Sequence, residues 1–144
     1  MNLANANVRE SFLWSDDNIY DDPQQDAFDT AHVYLYTFYT RRVLERELSF
    51  FESGRAPSIK YPIVYQQVIR HALHTLSKDM QDIKHYMKLI HLTVSNRGES
   101  ERQAVFHKYW VKGCLASISI SNRQLKKEVG ARVNLYICGD PTKK

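Results

Sequence analysis

The sequence is short of the residues that punctuate and staple small folds. Its 144 residues include five glycines, four prolines and two cysteines, Cys114 and Cys138. Two cysteines exclude a disulfide framework and make a reducing compartment the default, which places the protein inside the cell, in the cytoplasm or nucleus. So little glycine and proline argues against a turn-rich all-β protein. No apolar run approaches the roughly 18–20 residues a membrane span needs. The N-terminal run from Met1 to Trp14 lacks the basic start and apolar stretch of a secretory signal.

Chemical motifs are missing as well. There is no GxGxxG or GxxxxGK[ST] phosphate loop, no GxSxG elbow and no HExxH. Cysteines and histidines do not fall at zinc-finger spacing. His71 and His74 lie one helix turn apart, with His85 and His91 further along, but no third ligand or orienting partner accompanies them. No metal or other cofactor is indicated. His107 and Cys114 are seven residues apart, about 10 Å on a helix, too far for direct activation of the thiol. Cys114 reads instead as a small buried apolar residue.

What is present is an ordinary globular composition, 43% hydrophobic and 25% charged, with 9 Tyr, 6 Phe and 2 Trp. That is material for one core. The charge is unevenly spread. Residues 1–29 hold one arginine against seven acids; residues 30–144 hold 19 Lys and Arg against nine acids. A basic body behind an acidic lead-in fits an anionic partner.

Residues 1–21 read as an irregular acidic lead-in, and residues 22–144 as a single helical domain. Phe12, Leu13 and Trp14 are candidate anchors of the lead-in to the body. Asp22-Pro23-Gln24-Gln25 carries an N-cap, a first-turn proline and a capping-box glutamine. It predicts a helix over about 24–53, closed by Gly54. Residues 32–39 are aromatic and β-branched enough for a strand; the strong cap and the good helix former that follows favour helix. The apolar face changes phase near Arg41-Arg42, which implies a kink or two different neighbours.

Ile69, Leu73, Leu76, Met80, Ile83, Met87, Ile90 and Val94 follow a strict 4, 3, 4, 3 spacing. This heptad seam predicts a second helix over about 62–95. It serves either as the core-facing stripe of the chain's own bundle or as a seam for self-association. Three long helices leave much surface to cover, which favours a homodimer. Ser100 and Gln103 suggest another capping box, starting a third helix over about 101–129 that ends at Gly130. Gly113 is its weak point, and residues 117–121 alternate like a strand. Residues 133–137 read as a short extended C-terminal segment. The expected fold is mainly α: three long helices in a bundle.

The basic residues provide the leading functional expectation. Arg41, Arg42 and Arg46 cluster on the first predicted helix, Lys84 and Lys88 on the second, and Lys108, Lys112, Arg123, Lys126 and Lys127 on the third. Cations at one-turn spacing can follow a phosphate backbone without reading bases. The sequence therefore suggests a non-enzymatic, oligomeric helical module that binds nucleic acid, RNA in particular. The alternative is a protein-interaction or assembly module using the apolar seam, with its partner unspecified. A third is a small enzyme with a site outside the known motifs.

Overall fold

The computed structural model describes residues 22–54 and 60–139. Three helices and four strands follow in order: α1 Pro23–Glu52, α2 Pro62–Leu89, β1 Leu92–Val94, β2 Glu99–Glu101, β3 Ala104–Val111, β4 Cys114–Ser121 and α3 Asn122–Cys138. The fold is α+β, and the expected three-helix bundle is overturned by a four-stranded antiparallel sheet. The lead-in of residues 1–21, with its proposed anchors, lies outside the described residues.

The first helix forms as its cap predicts. The Asp22 side chain accepts from the Gln24 backbone N–H at 3.0 Å, and Pro23 opens the first turn. Gln25 does not reach back to the cap; its amide donates to Asp29 at 3.1 Å. Residues 32–39 are helical. Helix α1 is buried on several sides through its middle, from Ala27 to Leu44. This explains the phase change. Leu35 joins a cluster with Ile83, Leu92, Val105 and Ile118, between the helices and the sheet. Leu44 joins Ile69, Ala72, Leu76 and Tyr136, where the three helices meet. The two halves of α1 have different neighbours.

The heptad seam lies inside the chain. Ile69, Leu76, Met80, Ile83 and Met87 are buried on α2, and Leu73 and Ile90 are half-buried. Those side chains are occupied in the chain's own core, so self-association needs another surface. The predicted helix 62–95 also ends early. α2 stops at Leu89, His91 takes a left-handed φ of 56°, and Val94 lies on a strand. A four-residue spacing is a multiple of the strand period as well as about one helix turn, so Ile90 and Val94 fit both patterns.

The predicted third helix 101–129 is a β-hairpin followed by the start of α3. β3 is central. β4 pairs with it along its full length, from Ala104 opposite Ser121 to Val111 opposite Cys114. On its other edge β2 covers Ala104–Phe106 and β1 covers Tyr109–Val111. Gly113 is the pivot of the hairpin rather than a weak helical position. Lys112 and Gly113 both have positive φ, 49° and 82°, which a two-residue turn between right-twisted strands requires. Val105, His107 and Tyr109 point inward with Ile118 and Ile120, while Lys108 and Leu115 lie on the open face.

Ser121 then caps α3, accepting from the Gln124 N–H at 3.1 Å. The expected Ser100 cap belongs to β2. The helix runs through Gly130, and the expected extended segment at 133–137 is its last turns.

Candidate functional site

Helices α1 and α3 face each other across an open groove of about 780 Å³. From α1 it takes Tyr39, Arg42, Val43 and Arg46; from α3 it takes Asn122, Leu125, Lys126, Val129, Gly130 and Val133. Each set follows helical i, i+3, i+4, i+7 spacing, so two stripes form the two walls. Leu125 and Val133 are half-buried and Val129 is buried, making an apolar floor. Arg42, Arg46 and Lys126 are exposed at the rim. Among the described residues no carboxylate lines the groove. Gly130 adds width: a Cβ there would meet nothing within 4 Å.

A buried polar network sets the rotation of α3. Glu128, Arg132 and Tyr136 lie on the face next to the groove stripe. The Arg132 guanidinium is 1% exposed, donates to the Glu128 carboxylate at 2.8 Å and sits 4.7 Å over the Tyr36 ring. Burial lowers its pKa; the Glu128 carboxylate opposes that shift. The Tyr136 hydroxyl donates to Asp79 on α2 at 2.5 Å. Burial, and then the Asp79 charge, push the Tyr136 phenol far above its ordinary range. These contacts tie α3 to both other helices and turn Leu125, Val129 and Val133 toward α1.

Tyr39 closes one part of the groove and joins it to the sheet. Its hydroxyl lies 2.5 Å from His107 Nε2, and His107 Nδ1 lies 2.8 Å from the Ser95 carbonyl. A carbonyl only accepts, so Nδ1 carries the proton and Nε2 accepts from Tyr39. Burial raises the Tyr39 pKa, and the Arg42 charge pulls it partly back. Gly98 packs against this pair so closely that a Cβ would stand 2.7 Å from His107 Nε2 and 2.8 Å from the Tyr39 hydroxyl.

The ten cations singled out in the sequence do not form one surface. Arg42, Arg46 and Lys126 converge on the groove. Arg123 and Lys127 are exposed elsewhere on α3. Arg41 is half-buried and donates to Ser77 on α2 at 3.3 Å. Lys84 and Lys88 line a separate cleft with Tyr34 and His85, and Lys88 and Lys112 border another with His91. Lys108 stands on the open face of the sheet, in register with Ser117. Sequence reasoning missed the apolar floor and the Tyr39–His107 pair. Ser121-x-x-Gln124 was the available signal for where α3 begins; no local signal joins two residues 68 positions apart.

Among the described residues no group of three or more His, Cys, Asp or Glu side chains is placed to hold a metal. Cys114 is exposed, contrary to its expected burial, and Cys138 is exposed too. His107 is on a strand rather than a helix, opposite Ile118. No helix among the described residues is long and apolar enough to cross a membrane.

No curated protein and no solved structure matches the chain. Residues 22–140 match a family described as the YhjD protein, a span that runs from the cap of α1 to the end of α3. The chain belongs to the YhjD family.

Proposed function

We propose that the protein is a non-enzymatic binding protein whose α1–α3 groove takes a small amphiphilic anion, one acidic head on an apolar body. The observation that carries this reading is the lining itself: three cations at the rim, an apolar floor and, among the described residues, no carboxylate. The volume, about 780 Å³, is in the range of small-molecule sites. The cations meet the head; Leu125, Val129 and Val133 meet the body. Gly130 leaves the room that a larger residue would fill.

Calorimetry with dodecanoate, and with dodecanol as the uncharged control, tests the reading. Dodecanoate binds and dodecanol binds at least tenfold more weakly. Arg42→Glu with Lys126→Glu weakens dodecanoate at least tenfold. Gly130→Phe blocks the groove and removes binding while keeping every cation. No heat with dodecanoate, or equal binding of acid and alcohol, defeats the proposal.

A second reading keeps the nucleic-acid expectation. Arg123, Lys126 and Lys127 stand exposed in the first two turns of α3, and Arg42 and Arg46 face Lys126 across the groove. Such a cluster suits a phosphate backbone, RNA in particular. RNA binding in this mode falls steeply with salt and is indifferent to Gly130→Phe. Dodecanoate binding is abolished by that variant. Both readings place the protein in the cytoplasm or nucleus, where exposed thiols such as Cys114 and Cys138 remain reduced.

A further inference from the structure

The two edges of the sheet are built differently. On one edge β1 and β2 are three residues each, separated by Ser95–Gly98, and β2 carries Glu99 and Glu101. Short length, an interruption and charge are the usual protections against edge-to-edge pairing. On the other edge β4 has none of them. It is eight residues long, Cys-Leu-Ala-Ser-Ile-Ser-Ile-Ser, with no charge, proline or glycine. Among the described residues only β3 pairs with it.

We propose that β4 is a homodimer interface, pairing antiparallel with β4 of a second copy to continue the sheet across a two-fold axis. The self-complementary chemistry of the strand identifies the partner. Residues opposite one another across a ladder share a face, so outward residues oppose outward residues in every register. Here that means Leu115, Ser117, Ser119 and Ser121 against themselves, and Ala116, Ile118 and Ile120 against themselves. No register brings like charges together, and none leaves a charge unpaired. A two-fold interface requires such a surface, one that complements itself. A foreign charged strand would find no counter-charge here. The residues of this strand are not among those that line the α1–α3 groove, and the proposal does not depend on that site.

Light scattering during gel filtration, across roughly 10 μM to 1 mM protein, reads the mass against the 16.9 kDa chain. The wild type runs at twice that mass at the upper end. Ser117→Lys with Ser119→Lys places like charges opposite one another in the registers that pair the strand along its length, those with residue 117 or 118 on the two-fold axis, and gives a monomer. Both positions are exposed, so the variant keeps the circular dichroism spectrum and melting temperature of the monomeric fold. Hydrogen exchange adds a local reading: alternate β4 amides are protected in the dimer and exchange fast in the variant. A wild type monomeric throughout, or a lysine variant that still dimerises, overturns the proposal. So does a dimer whose β4 amides exchange as fast as those of the variant, because its interface is elsewhere.

Discussion

At the scale of single residues, the tightest constraint is a missing side chain. Gly98 is exposed and its φ is unremarkable, yet it has no room for a Cβ because the Tyr39–His107 hydrogen bond lies directly against it. Gly98→Ala must push that pair apart. Overpacking of this kind costs about 1–3 kcal/mol. Urea denaturation should show a loss of that size, and an unchanged midpoint would show that the loop yields freely. Tyr39 also lines the groove, so the same variant should weaken any groove ligand. None of this was readable from residue types. Gly98 lies between β1 and β2, and its neighbours in space are 59 positions before and nine after.

At the scale of elements, local signals were reliable where one element had one pattern. The Asp22–Pro23 cap set the start of α1, and the heptad seam marked α2. Signals failed where one spacing satisfied two periods. Ile90 and Val94 fit the seam, but Leu92 and Val94 also alternate, and the strand is the observed state. The hairpin is hidden in the sequence because Gly113 reads there as the weak point of a helix, whereas Lys112-Gly113 is the hairpin's pivot. Its positive φ values make it a turn. Ser121 is then the true helix start. Ser121→Ala removes the oxygen that accepts from Gln124, at a cost of about 1 kcal/mol. A drop of that size in chemical denaturation, with the ligand-free sheet unchanged by hydrogen exchange, would confirm the cap. No loss would mean that β4 alone holds the end of α3.

At the scale of the whole molecule, buried phenols couple stability to pH. Tyr34, Tyr36, Tyr39, Tyr109 and Tyr136 are all shifted upward, chiefly by burial. In the unfolded chain they ionise near pH 10. The folded protein keeps its protons longer, so it binds more of them than the unfolded chain does. Stability is therefore full below about pH 10 and falls as pH rises above it. Melting temperature between pH 9 and 11.5 should decline, and Tyr136→Phe should flatten that decline. The same variant loses a hydrogen bond to a carboxylate, about 1.5–3 kcal/mol near neutral pH. A flat alkaline profile in the wild type would refute the coupling. The sequence by itself determined the parts with a local cause: the capped first helix, the α2 seam, a basic body and the lack of known catalytic motifs. Only tertiary structure decided the sheet, because alternation and turns compete with helical spacing until strands find partners. It also selected three cations from ten. Residues 42, 46 and 126 share a groove because the chain between them turns back through the β3–β4 hairpin, and the buried Arg132 and Tyr136 contacts fix which face of α3 looks across.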